Sequence, residues 1–247
     1  MIKARGLAAL SKGAPFVTHD FERRAVGEHD VLLDIAFAGI CHSDIHQARE
    51  EWGSAIFPMV PGHEIAGVVT SIGSSVTKFK VGDKIGVGVF VDSCRNCDAC
   101  KNGLQQYCAE GMTGTYNQLE RDGKTPAMGG YSNIFVINED YAVSIPDNLP
   151  LDGVAPLLCA GITLYSPLKN WKAGPGKKVG VMGLGGLGHM GVKFAHALGA
   201  EVTVFSHTES KRADALAMGA DHFVVTKDPS SLAPLKSSFD LILNTVS

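Results

Sequence analysis

The segment Gly183-Leu184-Gly185-Gly186-Leu187-Gly188 lies between the apolar run Lys178 to Met182 and a helical pattern from Leu187 to Leu198. A G-x-G-x-x-G spacing that follows a strand and opens a helix lets the backbone turn tightly. It also brings the backbone close to a pyrophosphate at the helix N-terminus, where unpaired N–H groups and the helix dipole attract anions. Downstream come the apolar run Val202 to Phe205, a helical Ser210 to Met218, and apolar Phe223 to Val225 and Leu241 to Leu243. Strand and helix alternate, which predicts a parallel α/β sheet of doubly wound type with strands one to four of the 3-2-1-4-5-6 order.

The end of the second strand selects the dinucleotide. An acid there would hold a ribose 2′-hydroxyl, but the text reads Phe205-Ser206-His207-Thr208-Glu209-Ser210-Lys211-Arg212. Hydroxyls at Ser206 and Thr208 with a cation at Lys211 or Arg212 accept a 2′-phosphate through charge-assisted hydrogen bonds, which favours NADP(H). Glu209 becomes the acid of an NAD site if the strand runs about three residues further.

Upstream, from Lys3 to about Ile145, short apolar runs are broken by Gly, Pro, Asp and Asn. Val31 to Phe37, Ile65 to Ile72, Lys84 to Val91 and Asn133 to Ile137 are examples, and they predict a β-rich domain. The turn-rich Ser144-Ile-Pro-Asp-Asn-Leu-Pro150 sets the expected division into residues 1–150 and 151–247. Hydrophobic residues at 45% against 19% charged exclude a disordered chain, and a net charge of −3 gives no footprint for nucleic acid or an anionic membrane. The apolar stretch near the N-terminus is too short for a signal sequence, and no run spans a bilayer, so a cytoplasmic protein is expected. In that compartment six cysteines point to metal or catalysis rather than disulfides.

Cys94, Cys97, Cys100 and Cys108 form C-x2-C-x2-C-x7-C in a polar loop. Four thiolates from one loop close a tetrahedron around a structural zinc ion. An iron–sulfur cluster is the competing reading, but there the fourth cysteine follows after three residues and precedes proline, unlike Cys108-Ala109. Cys41 and Cys159 remain, with Gly62-His63-Glu64 between them. Cys41, His63 and Cys159 supply two thiolates and an imidazole and leave one position open, the pattern of a catalytic zinc. Two thiolates cancel the charge of the ion, which stays a Lewis acid for an alcohol or an aldehyde carbonyl. Ser43 and His46 offer a proton path to solvent, Asp44 an acceptor that orients the His63 ring, and Trp52 a wall for an aromatic substrate.

These residues resemble the zinc-dependent medium-chain alcohol dehydrogenase family, and within it the cinnamyl-alcohol-dehydrogenase-like aldehyde reductases. Gly62-His63-Glu64-x2-Gly67-x5-Gly73-x2-Val76, the four-cysteine loop and Cys159-Ala-Gly-Ile-Thr163 carry the resemblance along the whole chain. It implies a GroES-like catalytic domain followed by a Rossmann domain, with substrate in the cleft between them. It also implies catalytic zinc on Cys41, His63 and Cys159, Glu64 close behind the ligands, and proton relay through Ser43 and His46. By the same resemblance His42 lies near the cofactor pyrophosphate, Thr163 by the nicotinamide, and Ser206, Thr208 and Lys211 at the 2′-phosphate. Family members run longer than this chain, which stops at Asp240-Leu-Ile-Leu-Asn-Thr-Val-Ser247. A C-terminally truncated dehydrogenase without strands five and six and without the family's dimer edge is therefore expected. The leading function is a two-zinc, NADP(H)-dependent alcohol dehydrogenase or aldehyde reductase; the alternative is a catalytically silent zinc- and nucleotide-binding fragment.

Overall fold

The computed structural model describes residues 1–246. The chain divides into two compact units, Met1–Cys159 and Ala160–Ser247.

In the first unit, β1 (Ile2–Ala8) and β2 (Val17–Arg23) form an antiparallel pair. β3 (Asp30–Ala38) leads into the short helix α1 (His42–Ala48), and β4 (Ile65–Ile72) and β5 (Lys84–Val87) follow. β6 (Phe90–Asp92), α2 (Asp98–Lys101) and β7 (Thr113–Gly114) frame the cysteine loop. β8 (Ile134–Asn138), β9 (Ala142–Ser144) and α3 (Leu151–Val154) complete the unit. The main sheet runs β8-β3-β4-β5-β9 with every pair antiparallel. Alternating side chains of β3 and β4, Val31 and Leu33 with Ile65 and Val69, meet Ile85, Val87, Phe135 and Ile137 in one core, as a period of two requires. The opposite face of β4 is also covered, because Ala66 packs on Val154 and Ala155.

The apolar run Lys84 to Val91 is two strands rather than one. Thr115 takes the carbonyls of Gly88 and Val89 with its hydroxyl and its backbone N–H, so the ladder ends there. β6 then pairs with β7 instead and delivers the chain into the cysteine loop.

The second unit opens with α4 (Ala160–Asn170) and continues as β10 (Lys178–Met182), α5 (Gly186–Ala197), β11 (Glu201–Ser206), α6 (Arg212–Ala217), β12 (His222–Val225) and β13 (Leu241–Asn244). All its strands are parallel, in the order β12-β11-β10-β13, which is the expected 3-2-1-4. β10 and β11 lie inside the sheet, and Val179, Val181, Val202 and Val204 are fully buried against Leu164 and Leu168 of α4 and Val192 and Ala195 of α5. The helical stretch expected from Ser210 starts as a 3-10 turn at Glu209–Lys211 before α6. The architecture is a GroES-like antiparallel unit and a Rossmann-like parallel one. No single helix among the described residues is long and apolar enough to cross a membrane.

Candidate active site

Three separate segments of the first unit bring their side chains together. Cys41 precedes α1, His63 and Glu64 precede β4, and Cys159 follows a 3-10 turn at Ala155–Leu158. One ligand atom from each of Cys41, His63, Glu64 and Cys159 lies within 4.8 Å of all the others. His63 and Glu64 are buried. The structure thus gathers the three residues predicted as zinc ligands and adds the Glu64 carboxylate to their group.

Asp44 organises this centre. Its Oδ1 accepts from the Gly62 backbone N–H at 3.0 Å and from His63 Nδ1 at 3.2 Å. Its Oδ2 accepts from the Cys41 backbone N–H at 3.0 Å and from the Tyr131 hydroxyl at 2.8 Å. With Nδ1 as the donor, the lone pair of His63 sits on Nε2, the nitrogen a metal needs. Gly62 is required here: its φ is +101°, and a Cβ would lie 2.7 Å from Tyr131 Cδ1. Tyr116 stacks on His63 with ring centroids 5.8 Å apart.

The titration of the group fits a cation site. The Cys41 thiol is drawn down to about 3, first by its hydrogen bond with Cys159, with His63 and Ser43 helping against burial. Cys159 moves the opposite way, because it donates to Cys41 and is buried. Only one sulfur of the pair ionises on its own, and a dication stabilises both thiolates. Burial works to lower the His63 pKa, but hydrogen bonds to Asp44 and Cys41 carry it up to about 9. Burial raises the Tyr131 pKa, as does the Asp44 charge, so the phenol is a donor at neutral pH.

Around this group, Ser43 Oγ lies 3.5 Å from Cys41 Sγ. His46 bonds Glu51 through Nδ1, and its ring stacks on Trp52 at 4.7 Å between centroids. The His42 ring is 5.9 Å from that of His46. Ser43 thus sits beside Cys41, while the rings of His42, His46 and Trp52 follow one another.

The cysteine loop gathers Cys94, Cys97, Cys100 and Cys108, again with all sulfurs within 4.8 Å. Sulfurs about 2.3 Å from a zinc ion in a tetrahedron are about 3.8 Å apart, and Cys94 and Cys100 are separated by 3.9 Å. The backbone N–H groups of Asn96 and Cys97 point at Cys94 Sγ, that of Ala109 at Cys97 Sγ and that of Cys94 at Cys108 Sγ. Such donors stabilise thiolates, and Ala109 and Cys100 draw the Cys97 thiol down to about 6. The donor set fits a closed zinc site.

In the second unit the glycine turn leaves β10 with Gly183 at φ +86°, and Gly185 caps α5. A Cβ on Gly188 would overlap the Gly183 carbonyl oxygen, so the helix can start this close to the strand only with glycine there. Lys211 Nζ donates to Leu184 O at 2.9 Å, which places the lysine beside the turn. Ser206 is the last residue of β11, and the Thr208 backbone N–H donates to its Oγ at 3.4 Å. Glu209 lies beyond the strand end and is paired with Arg212. Leu187 lies in the first turn of α5 and Thr163 is exposed on α4.

Residues 27–147 match the alcohol dehydrogenase GroES-like domain family, and residues 186–247 match the zinc-binding dehydrogenase family. An NADP-dependent alcohol dehydrogenase C of Mycolicibacterium smegmatis is 62% identical over 97% of this chain and 69% of its own length. This chain belongs to the zinc-dependent medium-chain alcohol dehydrogenase family. An aldehyde reductase of Escherichia coli is 50% identical over 99% of the chain and 70% of its own length. The structure of a Helicobacter pylori protein, described as CAD complexed with NADP(H), superposes with a TM-score of 0.93 at 52% identity, covering 99% of this chain and 69% of that one. The chain falls in the cinnamyl-alcohol-dehydrogenase-like branch of the family and is an alcohol–aldehyde oxidoreductase by membership.

Sequence reasoning missed Tyr131, Tyr116 and Glu51. Tyr131 follows Gly129-Gly130, a turn signal, but no spacing rule connects it with Asp44, which lies 87 positions away.

Proposed function

We propose that this chain is an NADP(H)-dependent zinc oxidoreductase that interconverts primary alcohols and aldehydes and works chiefly as an aldehyde reductase. The observation that carries the reading is the convergence of Cys41, His63 and Cys159 with His63 Nδ1 committed to Asp44. When bound, zinc supplies a Lewis acid for the substrate oxygen and the reduced nicotinamide supplies the hydride.

The protein's part is to position groups and move a proton. Cys41 and Cys159 offset the charge of the ion, and His63 presents Nε2 in a direction fixed by Asp44. Ser43 sits beside Cys41 and passes a proton to the substrate oxygen, drawing it from the His46 imidazole, whose ring nitrogens can both donate and accept. Glu51 and Trp52 hold the His46 ring, and Trp52 offers a flat wall to an aromatic aldehyde. Cys94, Cys97, Cys100 and Cys108 hold a second, structural zinc.

In the nucleotide unit, Gly183, Gly185, Gly186, Leu187 and Gly188 present backbone N–H groups to the pyrophosphate. Thr163 serves the nicotinamide. Ser206, Thr208 and Lys211 take the 2′-phosphate. Glu209 is neutralised by Arg212 rather than free to hold a ribose hydroxyl, which supports NADP(H) over NAD(H). All six cysteines are free and fall in the two ligand groups, which supports a reducing compartment such as the cytoplasm.

The test combines metal analysis with turnover. Two zinc ions per chain are expected, and His63→Ala should retain one and lose NADPH oxidation with aromatic and aliphatic aldehydes. One zinc in the unaltered chain, or nucleotide binding without turnover, would overturn the reading.

A further inference from the structure

The segment from Met128 to Ile134 crosses the loop that carries His63 and is fastened on both sides. On one side Arg23, which is buried, donates from Nε to Ile134 O at 2.7 Å, from Nη1 to Met128 O at 2.9 Å and from Nη2 to Gly129 O at 2.9 Å. On the other side the backbone N–H groups of Gly129, Gly130 and Tyr131 donate to the carbonyls of Val60, Gly62 and Pro61 at 2.6, 2.8 and 2.9 Å. The Tyr131 ring is met edge-on by Phe16, with centroids 6.3 Å apart. The phenol of Tyr131 therefore reaches Asp44 from a backbone tied both to the loop that carries His63 and, through Arg23, to a buried anchor that belongs to no ligand loop.

Asp44 divides its carboxylate by loop. Oδ1 serves Gly62 and His63, while Oδ2 serves the Cys41 backbone and Tyr131. The carboxylate rotates as one plane, so a donor fixing Oδ2 also fixes the line from Oδ1 to His63 Nδ1. Without the phenol, Oδ2 keeps the Cys41 N–H, which belongs to the loop that has to be positioned, and Tyr116 is the other phenol that interacts with the Asp44 carboxylate.

We infer that Tyr131 is a positioning residue for the metal centre: its hydroxyl locks the Asp44 carboxylate so that the Cys41 and His63 loops hold their donor atoms at a fixed separation. The inference rests on the proposed reading of Cys41, His63 and Cys159 as zinc ligands. It assigns Tyr131 to retention of that ion rather than to substrate or nucleotide.

Tyr131→Phe keeps the ring, the Phe16 contact and every backbone hydrogen bond of the segment, and removes only the hydroxyl. The full chain is loaded with zinc, and release to a chromophoric chelator is followed in time. His63→Ala identifies the kinetic phase of the candidate catalytic ion, because that phase is missing there. In Tyr131→Phe this phase should accelerate by about 10-fold or more, the scale for removing a partner behind a metal ligand. The phase of the cysteine loop should not move. A double-mutant cycle with Asp44→Asn should show Tyr131→Phe adding little once the carboxylate is gone. Unchanged release, equal acceleration of both phases, or full additivity would overturn the inference while leaving the zinc assignment intact. An unaltered chain with no phase sensitive to His63 would overturn the zinc assignment and the inference with it. Should Tyr131→Phe not fold, Asp44→Asn alone decides: it must release the same ion faster, and failure to do so overturns the inference.

Discussion

Ser206 ends its strand with a buried hydroxyl rather than a carboxylate. Ser206→Asp places a negative charge where the 2′-phosphate is proposed to sit, so the Kd for NADPH should rise well above that for NADH by like-charge repulsion. Titration of both nucleotides checks this, and equal weakening would refute it. Gly188→Ala should abolish binding of either one, since the added methyl overlaps the Gly183 carbonyl. Both positions were legible because a strand, a turn and a helix start are local patterns. Glu209 shows the limit. Its position past the end of β11, which runs one residue beyond Phe205, and its pairing with the Arg212 side chain became visible only in the structure.

Among the elements, the strands with apolar periods were visible in the sequence. β4 and β10 coincide with the apolar runs Ile65 to Ile72 and Lys178 to Met182, because each buries its side chains against a sheet neighbour or a helix. The break at Gly88 was not, since it depends on Thr115 arriving from 27 residues downstream. Nor was the Met128 to Ile134 segment, whose order comes from Arg23 more than a hundred positions away. Lysine cannot reproduce a planar fork of donors. Arg23→Lys should therefore leave buried carbonyls short of partners and lower stability by about 3 kcal/mol, read as a shift in denaturant midpoint. A loss below about 0.5 kcal/mol, the range of an ordinary surface change, would count against that role.

For the molecule as a whole, acid stability depends on buried carboxylates. Glu139 accepts from the Thr77 and Lys78 backbone N–H groups at 2.8 and 2.9 Å and from His29 at 3.1 Å. Against burial, which raises it, these donors hold its pKa at about 2, below the ordinary 4.5. The stabilisation it lends is complete above pH 4.5 and drains away as pH falls toward 2. Glu139→Gln should flatten the fall in unfolding free energy across that interval, and an unchanged slope would refute it. The two ligand groups also differ in reach. Cys94, Cys97, Cys100 and Cys108 belong to one loop, whereas Cys41, His63 and Cys159 span most of the first unit. Short-range closure costs little chain entropy and long-range closure must wait for the sheet. On the proposed two-zinc reading, the lobe is thus ready to capture its ion on the ribosome soon after Cys108 emerges, while the Cys41, His63 and Cys159 centre takes up metal only once Cys159 has been made and docked, so the order of metallation is written into the spacing.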